Sequence, residues 1–366
     1  MAPVPGLSPL SAAARPDRLL LQWHLTDRCN LRCAHCYQDE YRTPPGGLAS
    51  WQELLDRFLV FLRGPASPIP GHINLTGGEP FVLEELPALM ELFVRHRREF
   101  SFAVLSNGTL VDRPLARQLK SWGVRFVQVS IEGGEETHDR LRGPGSFQRA
   151  VAGLGALRAA GVPTMIAFTA QRSNWREFPL VAALGRQVGA RRVWADRLIP
   201  AGQAQRDQVL DPGETRAFFT LMAESRARPL RFFSRRRTAM HRALQFLVAE
   251  DEMPYRCTAG DTLLTLMPDG TVYPCRRLPI PLGDLFRRPL AELYDEDLAR
   301  RLRAPEWQGE GCQDCGLAAA CRGGLRCLAY AVHGRLDVAD PGCWLAAAAP
   351  AAAPATTAAA TAGAAA

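Results

Sequence analysis

The stretch LLLQWHLTDRCNLRCAHC, residues 19–36, places three cysteines shortly after an apolar run. Residues 19–25 are mostly apolar and predict a strand. Cys29, Cys33 and Cys36 follow at a Cys-x3-Cys-x2-Cys spacing. Three thiolates crowded together can bind three irons of a cubane cluster and leave the fourth iron without a protein ligand. An iron with an open coordination position can bind a small molecule and pass an electron to it.

A zinc site or a disulfide pair is the alternative interpretation of these three cysteines. Zinc would need a fourth ligand, and His35 points the wrong way if the neighbouring cysteines share one centre. The spacing therefore favours an iron–sulfur cluster over both alternatives.

The stretch, together with Tyr37 after its third cysteine, resembles the signature of radical S-adenosylmethionine (SAM) enzymes. The resemblance implies a 4Fe–4S cluster whose open iron binds the amino and carboxylate groups of SAM. One electron would then cleave the sulfonium to methionine and a 5′-deoxyadenosyl radical, which abstracts hydrogen from the substrate. The cofactors would carry this chemistry, while the protein positions them and excludes water.

Length and composition narrow the class of protein. A chain of 366 residues can bury one large α/β core and carry a smaller appendage. The N-terminal sequence MAPVPG lacks the basic and apolar regions of a signal peptide, and no apolar run is long enough to span a bilayer. We therefore expect a cytoplasmic protein without membrane contact. In that compartment, ten cysteines indicate metal binding rather than disulfides.

The net charge of +7 comes almost wholly from arginine, since Lys120 is the single lysine. This bias is typical of a GC-rich genome. Arginine clusters at residues 95–98 and 235–237 could bind an acidic peptide or a nucleic acid. Solvated helix faces are the favoured interpretation, because no interleaved aromatic residues suggest base stacking. We do not expect a nucleic-acid partner.

Strand-like and helical patterns alternate along the first half of the chain. The predicted strands are residues 19–25, 72–76, 102–105, 126–131, 164–169 and 192–197. The predicted helices are residues 51–63, 83–97, 113–122, 147–160 and 175–188. Together they make six β/α units, an arrangement typical of parallel strands joined by right-handed helical crossovers.

Six such units predict an α/β fold, either an open partial barrel or a doubly wound sheet. In a barrel, the first loop would bring the cysteines to the C-terminal ends of the strands, where such folds carry their chemistry. Periodicity alone does not choose between the two architectures. The resemblance favours the barrel, because radical SAM cores are partial (β/α)6 TIM-like barrels.

Two glycines and a carboxylate follow the second predicted strand, in the sequence Gly77-Gly78-Glu79-Pro80. Paired glycines let the backbone approach a ligand closely, and a carboxylate can pair with an ammonium group. The sequence matches the Gly-Gly-Glu-Pro motif of the family, which contacts the SAM amino group. A simple turn is the alternative interpretation of the glycine pair.

Polar residues near the ends of later strands extend the resemblance. Ser106 and Asn107, after the third strand, resemble the segment near the SAM ribose. Ser130 and Glu132, ending the fourth strand, occupy positions that in relatives contact the ribose or the carboxylate of SAM. Arg197 stands where relatives often carry a polar residue near SAM, and a structural ion pair is its alternative role.

The other seven cysteines all lie between residues 257 and 343. Their pattern resembles the SPASM extension, which carries auxiliary 4Fe–4S clusters in peptide- and protein-modifying radical SAM enzymes. The resemblance assigns them to two clusters, the first on Cys257, Cys275 and Cys327 and the second on Cys312, Cys315, Cys321 and Cys343. It implies SAM and three 4Fe–4S clusters, with an open or externally ligated iron in the first auxiliary cluster.

This part of the resemblance has one departure and one alternative. Five residues separate Cys321 from Cys327, where the family spacing is three. A zinc ribbon would need two Cys-x2-Cys knuckles, whereas one such pair occurs and no histidine lies at finger spacing. Iron–sulfur clusters therefore remain the favoured interpretation.

These features divide the chain into five parts. We expect an N-terminal extension at residues 1–18, the radical SAM partial barrel at 19–199, a helical bridge at 200–254 and the small cysteine-rich SPASM domain at 255–344. The Ala/Thr/Pro-rich tail, residues 345–366, has no core-forming pattern and is predicted to be disordered.

The cysteine count bears on the chemistry. Three plus seven cysteines use every thiol in the chain, so none remains to return hydrogen to a substrate radical. We therefore expect an oxidised or cross-linked product, with an auxiliary cluster accepting an electron. Sulfatase maturation is disfavoured, because Arg276 follows Cys275 where those relatives usually carry an aspartate base. No catalytic acid or base is identified from the sequence.

The favoured function is a radical SAM maturase of a peptide or small protein, with a ribosomally made natural-product precursor as the substrate. A low-potential electron donor would be an external partner. About nineteen residues precede the first strand, too few for a winged-helix leader-binding domain, so a separate leader-binding protein is a further candidate partner. The alternatives are a radical SAM enzyme acting on a tetrapyrrole and a non-catalytic iron–sulfur protein that binds nucleic acid.

Overall fold

A computed structural model describes residues 16–38, 41, 47–64, 68–225, 237–238, 257–304 and 306–346. The predicted tail beyond residue 346 and the N-terminal extension before residue 16 lie outside these ranges, as does most of the predicted bridge after residue 225. None of the helices in the described ranges is long and apolar enough to cross a membrane.

The described strands form one sheet whose order is β10-β9-β8-β1-β2-β3-β4-β5-β6-β7. The strands are β1 (Leu19–His24), β2 (Gly71–Thr76), β3 (Phe100–Ser106), β4 (Val127–Ser130), β5 (Thr164–Ala170), β6 (Arg192–Arg197), β7 (Arg237–Thr238), β8 (Leu263–Leu266), β9 (Thr271–Tyr273) and β10 (Gly283–Asp284). The run from β8 through β1 to β7 is parallel, and β9 and β10 are antiparallel. The six predicted strands correspond to β1–β6.

The described helices are α1 (Leu48–Arg63), α2 (Leu86–Arg95), α3 (Arg113–Ser121), α4 (Glu135–Arg142), α5 (Ser146–Ala159), α6 (Phe178–Val188), α7 (Pro212–Glu224), α8 (Leu290–Tyr294), α9 (Asp297–Arg303), α10 (Ala318–Cys321) and α11 (Arg326–His333). Short 3-10 helices occupy Pro80–Val82, Trp175–Glu177 and Arg206–Gln208. The helix predicted at 175–188 is therefore divided between a 3-10 turn and α6. Helix α4 was not predicted, because its sequence EETHDRLR has almost no apolar residues to set a period.

Alternating burial along the strands gives the sheet two different faces. In β1, Leu21 and Trp23 are fully buried in the main core, which also contains Trp51 and Phe58 of α1. The intervening Gln22 is half-buried and polar. Because successive side chains of a strand point to opposite faces, the helices cover one face and the other is the polar inside of the partial barrel. The observed architecture confirms the predicted partial TIM-like α/β fold.

A hydrogen-bonded histidine lies on this polar inner face. In β2, the Nδ1 atom of His72 is 2.7 Å from the Ser101 hydroxyl of β3, and its Nε2 atom is 3.0 Å from the Asn74 amide oxygen. Burial lowers the pKa of His72 from its ordinary value of 6.5 to about 4. The neutral ring satisfies both contacts, since one nitrogen can accept from the serine and the other can donate to the asparagine.

We expect His72 to make the fold sensitive to acid. The unfolded chain binds a proton near pH 6.5, whereas the folded chain resists protonation until about pH 4, so stability falls as the pH drops between these values. Denaturant unfolding at pH 7 and pH 4.5 should show that His72→Gln loses less stability over this range than the wild type, by on the order of 2 kcal/mol. Equal losses in both proteins would contradict the assignment of a neutral, buried histidine.

The cysteine-rich region joins the same sheet as the barrel. Strand β8 pairs in parallel with β1, with Leu20 opposite Leu263 and Trp23 opposite Leu266. Strand β9 then returns antiparallel to β8. The region that contains the seven later cysteines is therefore attached at the edge of the barrel beside the strand that leads into the first cysteine loop.

Candidate active site

The cysteine loop, residues 25–38, follows the C-terminal end of β1 and is held by backbone hydrogen bonds from other strand ends. The N–H group of Gly78, after β2, donates to the Thr26 carbonyl at 2.7 Å. The N–H group of Gln203, after β6, donates to the Cys36 carbonyl at 2.7 Å. Both ends of the loop are therefore attached to loops that follow parallel strands, as the barrel interpretation predicts.

The Gly77–Gly78 pair is required by contact with this loop. A Cβ atom on Gly78 would lie 2.1 Å from the Arg28 carbonyl oxygen, and one on Gly77 would lie 2.3 Å from the Thr26 carbonyl oxygen. Gly77 also has a φ of +133°, which disfavours any residue with a side chain. We interpreted the glycines as allowing close approach to a ligand, and the structure shows that they approach the backbone of the cysteine loop.

The three cysteines of this loop are free, half-buried thiols. The N–H group of Leu31 donates to Cys29 Sγ at 3.4 Å, and the amide nitrogen of Asn107 lies 3.9 Å from the same sulfur. Arg142 Nη1 lies 3.8 Å from Cys33 Sγ. Donors directed at sulfur are the surroundings that thiolate ligands of an iron–sulfur cluster need, so the residues present fit the cluster that the sequence implies.

Burial disfavours the thiolate form of these cysteines, whereas the nearby donors favour it. It raises the pKa of Cys29 to about 11 and also raises the pKa of Cys33. Across the described ranges, no three His, Cys, Asp or Glu side chains are arranged to hold a single metal ion.

Glu79 is a fully buried carboxylate beside the cysteine loop. It accepts hydrogen bonds from the Ser106 hydroxyl at 2.9 Å, the Asn107 N–H group at 2.8 Å and the Phe81 N–H group at 3.3 Å. Burial nevertheless raises the pKa of Glu79 to about 7, because these donors offset only part of the lost hydration. The Coulomb attraction between a ligand cation and a desolvated carboxylate of this kind is stronger than that with a solvated one.

Asn107 connects Glu79 to the cysteine loop. Its backbone N–H group binds the Glu79 carboxylate, and its side-chain amide donates to the Asn30 amide oxygen at 2.9 Å. The side-chain oxygen of Asn107 accepts from the N–H group of Thr109 at 2.9 Å, which fixes the amide orientation. The structure therefore brings the predicted residues Glu79, Ser106 and Asn107 together with Cys29.

Glu132 lies at the end of β4 and is engaged by protein groups on both oxygens. Its Oε1 atom lies 2.5 Å from Arg142 Nη2 and 3.4 Å from His35 Nε2, and its Oε2 atom accepts from the Thr169 N–H group at 2.8 Å. Burial alone would raise the pKa of Glu132, but the charges of Arg142 and His35 outweigh it and hold the pKa well below its usual range. The Nε2 atom of His35 is therefore directed at this carboxylate.

Arg142 is a site residue that was not predicted from the sequence. It ends α4, and its guanidinium bridges the Glu132 carboxylate and the Cys33 sulfur. The same helix end accepts a hydrogen bond from the cysteine loop, from Ala34 N–H to the Leu141 carbonyl at 2.9 Å. The lone signal in the sequence is a polar segment between the fourth strand and the fourth predicted helix, which does not reveal a buried arginine.

The remaining two predicted SAM contacts lie in different settings. Ser130 is the last residue of β4, half-buried and opposite Ala167 in the register. Arg197, the last residue of β6, forms a buried two-bond ion pair with Asp340, at 2.8 and 2.5 Å. The structure thus gives Arg197 the structural ion pair that the sequence left as the alternative to a SAM contact.

The Arg197–Asp340 pair joins the barrel to the cysteine-rich region. Asp340 also accepts from the N–H groups of Leu325 and Gly342, both at 2.8 Å. These residues flank Cys327 and Cys343 in sequence, so the carboxylate organises the backbone around both groups of later cysteines.

We expect Asp340→Asn to lower the free energy of unfolding by about 3 kcal/mol, because it removes the carboxylate that forms an ion pair with the buried Arg197 guanidinium. The control is Asp337→Asn, which breaks an ion pair whose two side chains are about half exposed and should leave the unfolding midpoint nearly unchanged. Chemical unfolding of both variants checks this. An Asp340→Asn variant as stable as the control would show that the Arg197–Asp340 ion pair does not stabilise the fold.

The seven later cysteines form two neighbourhoods. Cys275 and Cys327 are buried in one apolar cluster, and Cys257 packs against it. Burial raises the pKa of Cys327; Arg277 opposes this increase, and the nearby Cys275 and Cys257 add to it. The structure therefore brings together the three cysteines that the resemblance assigns to the first auxiliary cluster.

The second neighbourhood contains the other four cysteines. Burial raises the pKa of Cys312, and the nearby Cys343 and Cys315 add to the increase. Burial likewise raises the pKa of Cys321 to about 12, with Asp340, Cys343 and Cys312 acting in the same direction. Despite the longer spacing between them, Cys321 lies near Cys312 and Cys343, and Cys327 lies near Cys257 and Cys275.

Comparison with known proteins shows the family of the chain. Residues 23–182 match the model of the radical SAM superfamily, and residues 257–316 match the model of SPASM, an iron–sulfur cluster-binding domain. The chain is 30% identical over 354 residues to the mycofactocin maturase MftC of Mycobacterium ulcerans, covering 91% of this chain and 89% of that protein. It is 29% identical over 342 residues to an AdoMet-dependent heme synthase of Methanosarcina barkeri, covering 88% and 95%.

Solved structures with the same fold include native anSMEcpe with bound AdoMet, at a TM-score of 0.71 and 19% identity, covering 89% of this chain and 93% of that one. Streptococcus suis SuiB bound to S-adenosylmethionine matches at a TM-score of 0.68 and 17% identity, covering 90% and 77%. At these identities the likeness shows the fold alone.

Proposed function

This chain belongs to the radical SAM superfamily and carries a SPASM domain, and from that premise we propose that it oxidatively modifies a peptide. The observation that carries the proposal is the convergence of Glu79, Asn107 and Arg142 on the cysteine loop at the C-terminal ends of the parallel strands. A carboxylate, an amide and a guanidinium around one loop suit the ammonium, ribose and carboxylate groups of SAM.

In this proposal, Cys29, Cys33 and Cys36 hold a 4Fe–4S cluster. When bound, the cluster and SAM supply a 5′-deoxyadenosyl radical, formed by one-electron cleavage of the sulfonium, that removes a hydrogen atom from the substrate. Glu79 would pair with the SAM amino group, and Gly77, Gly78 and Pro80 would hold that carboxylate against the cysteine loop. Ser106 and Asn107 would orient Glu79 through their hydrogen bonds and lie near the ribose.

The residues at the end of β4 would act on the carboxylate end of SAM. Arg142 lies beside Cys33, so its charge would be available to the SAM carboxylate. Glu132 is saturated by protein donors, and we therefore propose that it positions Arg142 and His35 rather than contacting SAM. Ser130 lies two residues before Glu132 and would contact the ribose. We do not assign Arg197 to the proposed SAM site, because its guanidinium forms an ion pair with Asp340.

The seven later cysteines would hold two auxiliary 4Fe–4S clusters, which supply an electron acceptor. With all ten cysteines assigned, the enzyme has no thiol left to return hydrogen to the substrate. The substrate would then lose one hydrogen atom to the SAM-derived radical, followed by one electron and one proton. The net change is the loss of two hydrogens, as in the formation of an intramolecular cross-link.

The mycofactocin maturase supports a peptide substrate, because it is a maturase by name and aligns along nearly the whole chain. A tetrapyrrole is the second candidate, favoured by relatives of similar identity that are named as a heme synthase and an Fe-coproporphyrin III synthase. The departure at Arg276, where sulfatase-maturing relatives usually carry an aspartate, argues against formylglycine formation. A low-potential electron donor and, for a peptide substrate, a separate leader-binding protein would be the partners.

The test is 5′-deoxyadenosine formation by the anaerobically reconstituted, dithionite-reduced protein. One reaction receives the peptide encoded by the short open reading frame nearest the gene, and the other receives Fe-coproporphyrin III. We expect the peptide to increase 5′-deoxyadenosine formation and to lose two hydrogens by mass spectrometry. Stimulation by the tetrapyrrole alone would replace the peptide proposal with the second candidate, and no product from a fully loaded, reducible enzyme would refute both.

A further inference from the structure

One basic side chain of the SPASM region lies against the cysteine loop of the barrel. Arg276 directly follows Cys275, and its guanidinium carbon lies 5.0 Å from the ring centroid of Tyr37. Tyr37 in turn follows Cys36 in the loop. Arg276 therefore lies between the proposed SAM site and the first group of auxiliary cysteines.

The guanidinium of Arg276 has no acidic partner among the described residues. Its Nε atom is buried and makes no hydrogen bond there, whereas the neighbouring Arg277 pairs with Asp196. The Tyr37 ring stabilises the guanidinium by contact with its flat face. The N–H groups of the guanidinium point outward in its own plane, so the ring does not accept hydrogen bonds from them. Because a buried donor without an acceptor is costly, the arrangement requires an explanation beyond packing.

A second polar atom in the same place also lacks a partner. His24, at the end of β1, is 1% exposed, and its Nδ1 atom makes no hydrogen bond among the described residues. Its ring centroid lies 6.1 Å from that of Tyr37. Burial lowers the pKa of His24 to about 3, and Arg276 acts in the same direction, so the ring is neutral at pH 7. The site thus combines one cation with one neutral hydrogen-bonding ring.

We infer that Arg276 and His24 bind a carboxylate group of the substrate. An arginine fork matches the two oxygens of a carboxylate, and the imidazole can donate one further hydrogen bond. The inference rests on the proposed function and narrows its substrate class to molecules that carry a carboxylate beside the proposed SAM site. Both candidate substrates qualify, since peptides carry carboxylates on Asp, Glu and the C-terminus, and tetrapyrroles carry them on propionates.

The test measures binding without turnover, using the reconstituted full-length protein with SAM and no reductant. One arm titrates Fe-coproporphyrin III and its tetramethyl ester, followed by the Soret band. The other arm titrates the peptide from the adjacent short open reading frame as the free acid and with its carboxyl groups amidated. We expect the wild type to bind one of the two acids about 10- to 100-fold more tightly than its neutral counterpart, and the arm that responds identifies the source of the carboxylate.

Variants of Arg276 assign the preference to this residue. Arg276→Gln should lose most of the preference for the acid while binding the neutral counterpart as the wild type does, and Arg276→Lys should restore part of it. Arg287→Gln is the matched control, because it makes the same change in the same region at a side chain that is 85% exposed. Iron content per chain checks that the substitution beside Cys275 leaves the clusters in place. If Arg276→Gln loses iron, Arg276→Lys takes its place in the assignment to this residue. The comparison of acid and neutral probes on the wild type still decides whether a substrate carboxylate is bound.

Three results would overturn the inference: equal binding of acid and neutral probes, full acid preference in Arg276→Gln, or no binding of either acid. The 5′-deoxyadenosine assay separates this inference from the proposed function. An enzyme that cleaves SAM but ignores the carboxylate would keep the function and lose the inference. A protein that discriminates the carboxylate but never cleaves SAM would lose the function.

Discussion

Replacing Cys29, Cys33 and Cys36 together by alanine should reduce 5′-deoxyadenosine formation by at least about three orders of magnitude, to the background rate. The physical reason is that residues 25–38 contain no cysteine besides these three, so no thiolate remains there to hold the cluster. The N–H donors around Cys29 can stabilise a thiolate but cannot bind iron themselves. Product quantification by liquid chromatography under reducing conditions measures the effect.

Iron analysis provides the control for this variant. About four irons per chain should be lost, and the remainder should stay with the seven cysteines of the SPASM region, because these lie in separate neighbourhoods. Thermal unfolding should show that the barrel survives, since the three thiols are half-buried and contribute little to the main core. Residual SAM cleavage above about a tenth of the wild-type rate would refute the assignment of the cluster to this loop.

Glu79→Gln should lower kcat/KM for SAM by about 100-fold. Glutamine keeps the shape of the side chain and can still accept from the Asn107 N–H group, but it removes the negative charge that would pair with the SAM ammonium. Ser106→Ala is the comparison, because it removes one donor to the same carboxylate and should cost about 10-fold or less. SAM-dependent 5′-deoxyadenosine formation over a range of SAM concentrations measures both.

Stability distinguishes a functional role of Glu79 from a structural one. Its folded pKa of about 7 lies above its ordinary value of 4.5, so the wild type loses stability as the pH rises from about 4.5 through 7. The uncharged glutamine has no such dependence. Glutamine has one acceptor oxygen for the three donors on this carboxylate, so it loses some stability at every pH. We therefore expect Glu79→Gln to lose less stability than the wild type between pH 5 and pH 8 in the absence of SAM, while its activity is poor even where it is fully folded. A loss of stability with pH equal to that of the wild type, or full activity in the folded variant, would contradict this role of the charge.

Much of the barrel was predictable because its strands and helices bury one face each. The strands predicted at 72–76 and 192–197 agree with β2 and β6, since their apolar residues pack under helices with matching periodicity. Helix α4 was missed for the opposite reason, because it is polar and short and is held by contacts with the cysteine loop. Strand β8 was missed as a barrel neighbour, because pairing with β1 connects residues far apart in sequence.

In the candidate site, too, local sequence patterns were predictable and contacts between distant residues were not. The spacing of Cys29, Cys33 and Cys36 and the Gly-Gly-Glu-Pro sequence are local patterns, and they are sufficient to indicate the cofactor chemistry. Ser106 and Asn107 were found by their place after a strand, and the structure adds that they donate to Glu79. The sequence predicts a close approach at the glycine pair, and the structure adds that both glycines lie against the backbone of the cysteine loop.

By itself, the amino-acid sequence determined the succession of the strands β1–β6, which depends on periodicity along the chain, and its cysteine pattern and Gly-Gly-Glu-Pro sequence carried the resemblance to the family. The tertiary structure alone decided the partners of the buried charges. It pairs Arg197 with Asp340, 143 residues later, places Arg142 beside Cys33, and leaves Arg276 without an acid among the described residues. A buried charge is stable only with the partners that folding brings to it, and those partners come from distant parts of the chain.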